Sequence, residues 1–158
     1  MNCSEYRANY SDFARVPLSR EIWDTTEWSA WMDHFHCCAR CSDWTLAQRV
    51  IERGHDPEAF PCVHIADQIT QTCDQHPNRH DCPDTLLVYE PRFDEFSILI
   101  RDGGSSSTIH FCPWCGVKLP DSKRDRWFHE LEALGYDDPV QQEIPKQYLT
   151  DAWHKKAK

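Results

Sequence analysis

The chain has 158 residues, with 26 Asp and Glu against 17 Lys and Arg, a formal net charge of −9 at pH 7. That length supports one domain with a real core, and with a mean hydropathy of −0.71 no run approaches the apolar length that spans a bilayer. The charge is uneven: residues 1–102 hold 18 Asp/Glu against 9 Lys/Arg, while residues 103–158 hold 8 of each. Such a field repels a phosphate backbone, which counts against DNA and RNA.

The opening residues, MNCSEYRANYSDFARV, carry acids and aromatics rather than a basic end and an apolar stretch, so they do not read as a secretory signal. Residues 1–20 show no clean period and read as an arm. Asp24-Thr25-Thr26-Glu27 has the form of a capping box with Asp24 as the N-cap. Trp28, Trp31, Met32 and Phe35 then recur at helical spacing, which predicts a helix over 25–36 with an aromatic stripe facing the core. Trp44, Ala47, Val50 and Ile51 suggest a second helix closed by Gly54. Asp56-Pro57 and Phe60-Pro61 break the chain after it.

The period changes in the middle. Residues 85–89 and 96–100 are short, apolar and rich in strand formers, with Glu90 to Glu95 between them. A third strand is predicted over 108–111, reached through the RDGGSSS segment, and sequential strands with short links read as an antiparallel meander. Asp121 or Ser122 caps a helix whose Trp127, Phe128, Leu131 and Leu134 are expected to face the sheet, with Gly135 ending it. The tail, with Pro139 and Pro145, reads as irregular and the final HKKAK as disordered.

The stretch TIHFCPWCGVKLP carries the strongest chemical signal. Cys112 and Cys115 at C-x-x-C spacing can grip one tetrahedral ion, and Gly116 lets the chain turn beneath it. A redox dithiol would normally open a helix in a βαβ unit. Here the pair follows a strand-like run, so a zinc knuckle at a hairpin tip fits better. Nine cysteines in a chain without a signal peptide also point to metal ligation in a reducing, cytoplasmic setting, and an odd count forbids complete disulfide pairing.

The other ligands have several sources. The segment HFHCCARC offers His34, His36, Cys37, Cys38 and Cys41, and TCDQHPNRHDCPD offers Cys73, His76, His80 and Cys82. On spacing alone, Cys38 and Cys41 with Cys112 and Cys115 make a four-thiolate site of zinc-ribbon form. Cys73, His76 and Cys82 can hold a second metal or lend a ligand to the first. Cys3 reads as a terminal thiol and Cys62 as a small buried side chain.

From HCCARC through HPNRHDCPD, YEPRFDEFSILIRDGGSSS, FCPWCGVKLPDSKRDRWFHELEALG and IPKQYLTDAW, the chain resembles a family of small bacterial and phage proteins without an established activity. Its shared features are an H-C-C start, the C-P-W-C-G knuckle and an L-P-x-S-x-R-D-x-W helix. The resemblance covers about 36–153 and leaves 1–35 as an extension. In that family the position of Cys41 is often Met, and shorter relatives lack the region around Cys73. The resemblance therefore implies Cys37, Cys38, Cys112 and Cys115 as the ligands of a structural zinc, with Cys41, Cys73, His76 or Cys82 as substitutes or a second site.

A four-thiolate site is closed and stabilises a fold without hydrolysing anything. An open site would need three protein ligands, which His76 and His80 could help supply. The Gly103–Ser107 loop could present amides and hydroxyls to an anion, although Asp-Gly-Gly is also ordinary hairpin chemistry. These readings combine into one α+β domain with an antiparallel three- to four-stranded sheet, flanking helices and a zinc-ribbon-like knuckle. Its parts are an N-terminal extension (1–35), the knuckle domain (36–153) and a tail (154–158). The function expected is that of a non-enzymatic binding protein, of inhibitor or immunity type, presenting an acidic surface to a basic protein partner with no catalytic residues. The alternative is a zinc-dependent hydrolase or nucleic-acid-processing enzyme using the His76–Cys82 region and the Gly103–Ser107 loop.

Overall fold

The computed structural model describes residues 1–14, 19–100 and 104–155. The chain begins as helices. Asn2 caps α1 (Cys3–Ala8), its side chain accepting from the Ser4 and Glu5 amides while Glu5 returns a bond to the Asn2 amide. This reciprocal capping box explains why a six-residue helix forms at a chain end. The short α2 (Tyr10–Phe13) and α3 (Arg20–Trp23) follow, then α4 (Thr26–Cys37) and α5 (Ala39–Glu52). The cap of α4 is Thr25, whose hydroxyl accepts from the Trp28 amide at 3.2 Å. Asp24, the N-cap expected from the sequence, instead ends α3. Gly54 closes the turn after α5 at φ +82°, a conformation that Gly adopts at little cost.

Helix α6 (Val63–Thr70) was not legible as a separate element, because Pro57 and Pro61 flank its approach and it is only 8 residues long. Arg53, at the end of α5, bonds the Asp67 carboxylate at 2.9 Å and the Asp67 carbonyl at 3.0 Å, which fixes the two helices together. The sheet then forms from β1 (Leu87–Glu90), β2 (Glu95–Leu99) and β3 (Ser106–Thr108), in the order β1-β2-β3 and antiparallel throughout. The α+β class and the three-stranded meander agree with the sequence reading. The third strand lies earlier than the expected 108–111, and Phe111 pairs with Lys118 across the knuckle hairpin. Arg101 to Gly103 of the RDGGSSS segment lie outside the described residues, whereas Ser106 and Ser107 pair with Leu99 and Ile98.

Three small cores result. Ile65, Leu87, Phe96, Cys112 and Leu119 pack between α6, the sheet and the knuckle. Tyr6, Trp31 and Cys41 form the buried centre of the N-terminal helices. There Tyr6 stacks on Trp31 at 4.7 Å, the Trp31 indole N–H donates to the Tyr6 carbonyl, and the Tyr6 hydroxyl meets Thr45 at 2.7 Å. Of the stripe expected on α4, Trp31 is buried here and Met32 and Phe35 pack against it, whereas Trp28 packs instead on the exposed Trp23 with ring centroids 4.6 Å apart.

The third core belongs to α7 (Arg124–Ala133) and the tail. Phe93, Trp127, Leu131, Ile144 and Tyr148 form it, and the Trp127 indole donates to the Tyr148 carbonyl at 2.9 Å. Two expectations are corrected here. Phe128 and Leu134 are exposed, because α7 docks on the β1–β2 turn through Phe93 and on the returning tail, so only the Trp127/Leu131 face is covered. The tail is also more ordered than its prolines suggested. It folds as two short 3-10 turns, Lys146–Leu149 and Asp151–Trp153, and the Trp153 indole donates to the Arg92 carbonyl at 2.7 Å. Residues 156–158, the end of the expected disordered tail, lie outside the described residues.

The start of α7 is tied to the sheet by a polar contact. Glu95 is buried and takes both nitrogens of the Arg124 fork, at 2.7 and 3.0 Å, with the Ser122 hydroxyl at 2.7 Å. These donors hold its carboxyl below the ordinary glutamate value, Arg124 contributing most. Among the described residues no helix is long and apolar enough to cross a membrane.

Candidate metal centres

Eight of the nine cysteines fall into three groups with histidine, in each of which the ligand atoms lie within 4.8 Å of one another, and all nine thiols are free of disulfides. Cys3, His34, Cys38 and Cys41 form the first, Cys62, His64, Cys112 and Cys115 the second, and Cys73, His76 and Cys82 the third.

The first cluster is assembled by three helix ends. Cys3 opens α1, His34 sits in the last turn of α4, and Cys38 is the N-cap of α5 with Cys41 one turn inside. Two sulfurs that share a tetrahedral ion at about 2.3 Å stand about 3.8 Å apart. The Cys3 and Cys38 sulfurs are 3.9 Å apart. His34 Nε2 is buried and has no hydrogen-bond partner. A buried ring nitrogen left unpaired is costly, and a metal ion in this cluster would supply its partner. The thiols divide in the same sense. The Cys41 amide beside Cys38 favours its thiolate, whereas burial pushes the Cys41 thiol up to about 11, with Cys3 and Cys38 adding to the effect. Several thiolates in one place repel each other, and a divalent cation removes that conflict.

The second cluster joins a helix start to a hairpin. Cys62 is the N-cap of α6 and His64 lies in its first turn. In the knuckle the Cys112 amide donates to the Val117 carbonyl and the Gly116 amide to the Cys112 carbonyl, both at 2.9 Å. Gly116 has φ +70°, where a side chain would be strained, so the C-P-W-C-G spelling follows from the turn. Burial, with Cys112 and Cys115 close by, pushes the Cys62 thiol up to about 12. Burial also opposes the Cys115 thiolate, but the Val117 amide and the Cys112 and Cys62 sulfurs outweigh it and lower its pKa. His64 Nε2 stands 3.5 Å from the Asp43 carboxylate, while its Nδ1 is buried without a partner. A carboxylate on one ring nitrogen orients the other toward a metal. Trp114 covers the imidazole, its ring parallel to that of His64 at 6.4 Å.

The third cluster lies in the loop between α6 and β1. Cys73 Sγ is 3.2 Å from His76 Nδ1, and Cys82 is buried beside them. The first two clusters offer three sulfurs and one nitrogen each, a soft donor set suited to zinc-class ions. The third offers two sulfurs and one nitrogen.

This arrangement redistributes the ligands expected from sequence. Cys112 and Cys115 stand together, but their companions are Cys62 and His64. Cys38 and Cys41 stand in a separate cluster, with Cys3 and His34. Cys37, the last residue of α4, is exposed and joins no cluster among the described residues, because the chain turns between it and Cys38 to begin α5. His36 and His80 join none either. Cys3 and Cys62, read from sequence as a terminal thiol and a small core side chain, are both cluster members. The signals that could have found them are the capping box that orders the Cys3 helix, and the C-x-H spacing of Cys62 and His64 at a helix start.

Fold and clusters define a small α+β protein with Cys/His sites able to hold metal ions. The chain belongs to the family described as a domain of unknown function (DUF6980), which matches residues 59–156. The second and third clusters fall inside that span and the first precedes it. No curated protein and no solved structure matches the chain.

Proposed function

We propose that the protein is a non-enzymatic binding module whose fold is pinned by two structural zinc ions, one in each four-ligand cluster. The observation that carries this reading is the closure of both clusters at three sulfurs and one imidazole, each imidazole bringing a buried nitrogen with no other partner. Four protein ligands leave a tetrahedral ion no position for water or substrate, so such a site holds structure. Nothing of that kind performs hydrolysis.

A binding role draws support from what the second cluster holds up. Phe111 is 57% exposed and Trp114 46%, both on a hairpin fixed by its own hydrogen bonds and the cluster below. Exposed aromatics on a rigid element are the usual anchors of protein contacts. The acidic balance of residues 1–102 favours a basic protein partner, in a reducing, cytoplasmic setting that suits free thiols. The other reading, a metal-dependent hydrolase or nucleic-acid-processing enzyme, takes its support from the third cluster, which has three ligands rather than four.

The test places a photo-crosslinking amino acid at Trp114 in the full chain, expressed in its host. Crosslinks to a basic protein that weaken as salt rises support the reading. An absence of crosslinks at Trp114 and at Phe111, together with a chelator-sensitive hydrolytic activity in the purified chain, would overturn it.

A further inference from the structure

The loop between α6 and β1 is unusually well fastened for a stretch without regular secondary structure. Arg79 reaches the Gln68 carbonyl at 2.8 Å and the Leu87 carbonyl at 3.0 Å, and also bonds the Gln71 carbonyl. One side chain thereby ties the end of α6 to the start of β1. Asn78 adds a local turn, its amide donating to Asp81 at 2.9 Å and its carbonyl oxygen accepting from the His80 amide at 3.1 Å. The three ligand side chains are therefore held in place by the loop's own framework, which is what a preformed metal site needs.

The spacing suits an ion. A sulfur and a ring nitrogen that share a tetrahedral zinc stand about 3.5 Å apart, from bond lengths of about 2.3 and 2.0 Å. Cys73 Sγ and His76 Nδ1 are 3.2 Å apart, and Cys82 Sγ is within 4.8 Å of both. No fourth Cys, His, Asp or Glu among the described residues comes within that reach. Asp84 and Thr85 lie nearby, but on the wall of a cavity of about 100 Å³ that also borders Cys73, His76, Cys82 and Arg79. A cavity of that size has room for a water or a small anion.

The charges around the site balance. Arg79 spends its guanidinium on carbonyls and forms no ion pair with a carboxylate among the described residues. Two thiolates, a neutral imidazole and a divalent ion sum to zero. The Arg79 cation and the Asp84 carboxylate on the cavity wall then offset each other, so the ion's remaining position can take a water or a small anion.

We propose that Cys73, His76 and Cys82 hold a third divalent ion of the zinc class, whose fourth position faces the cavity and takes an exchangeable ligand, water or a small anion. The proposal stands apart from the structural role of the other two clusters. It makes the loop the one place among the described clusters where the protein's metal can meet a molecule from solution.

The experiment uses the full chain with its metals replaced by cobalt(II), and azide as the probe anion. In the wild-type protein three equivalents of cobalt are expected, azide shifts the visible absorption, and one equivalent leaves to a chromogenic chelator well ahead of the others. His76→Ala should hold two equivalents and lose both the azide response and the fast phase. Since the wild-type measurements need no variant, a misfolded His76→Ala chain does not rescue the idea. Two equivalents in the wild type, or three with azide silent and no fast phase, overturns it. Cys38→Ser and Cys112→Ser serve as separate arms: retention of all metal in both would defeat the structural reading and leave the azide response to decide the third site.

Discussion

The core around Cys112, which packs on the sheet, and the core around Trp127, which packs on the β1–β2 turn and the tail, are built on different chemistry. The Trp127 core buries five large side chains, satisfies the Trp127 indole on the Tyr148 carbonyl, and contains no cysteine. The Cys112 core has four apolar side chains, and its fifth member, Cys112, belongs to a Cys/His cluster able to hold a metal ion. The N-terminal core goes further, with Tyr6, Trp31 and Cys41 as its fully buried members and Cys38 packed at its side. The difference is one of composition: the Cys112 and N-terminal cores each contain members of a Cys/His cluster, whereas the core of α7 and the tail is closed by apolar side chains and indole hydrogen bonds alone.

The comparison breaks most severely at Cys112. Cys112→Ser should cost one equivalent of metal and the cooperative thermal transition, because site formation and folding are coupled there. Metal analysis together with circular dichroism reads both effects, and a variant that stays fully metallated and cooperative contradicts the assignment. Trp127→Ala is the counterpart. It should cost about 3–5 kcal/mol in denaturant unfolding while metal content stays at the wild-type level. Loss of metal in that variant would show the two cores to be one unit.

How much of this was legible in the sequence follows the same line. The knuckle could be read because its ligands and its turn are local: two cysteines, a Gly with positive φ and flanking strand-like residues all lie within a few positions. Its partners could not, since Cys62 and His64 precede it by about fifty residues and are brought there by α6, a short helix masked by flanking prolines. Adjacent Cys37 and Cys38 looked equivalent on paper, and only the break between α4 and α5 separates them. Likewise the apolar period of α7 was real, but Phe128 and Leu134 lie at the rim of a face whose partner is the returning tail rather than the sheet. The class, the meander and the aromatic core of α4 rest on periodicity and were readable for that reason.

A finer test separates the first and second clusters. Asp43→Ala removes the carboxylate behind His64 and should weaken metal at the second cluster by about 10–100-fold in a chelator competition, leaving the first unchanged. Equal weakening at both would mean that Asp43 acts through the fold and not through the imidazole.

The smallest effect expected is electrostatic. The Glu95 carboxyl is held below its ordinary value, so the stability it adds is fully present above the unfolded glutamate pKa of about 4.3 and is lost as pH falls through the folded value. Glu95→Gln should therefore cost about 1–2 kcal/mol at neutral pH, allowing for the partial exposure of Arg124. The gap between wild type and variant should close in acid, as followed by urea unfolding at a series of pH values. A gap that widens in acid would reverse the sign and contradict the assignment.

The central claim, two separate clusters of three sulfurs and one imidazole, is tested most directly by cadmium-113 NMR of the cadmium-loaded full chain, correlating each metal with the side-chain protons of its ligands. One cadmium should correlate with Cys3, Cys38, Cys41 and His34, and another with Cys62, Cys112, Cys115 and His64. A single cadmium that correlates with both Cys38 and Cys112 would contradict the account.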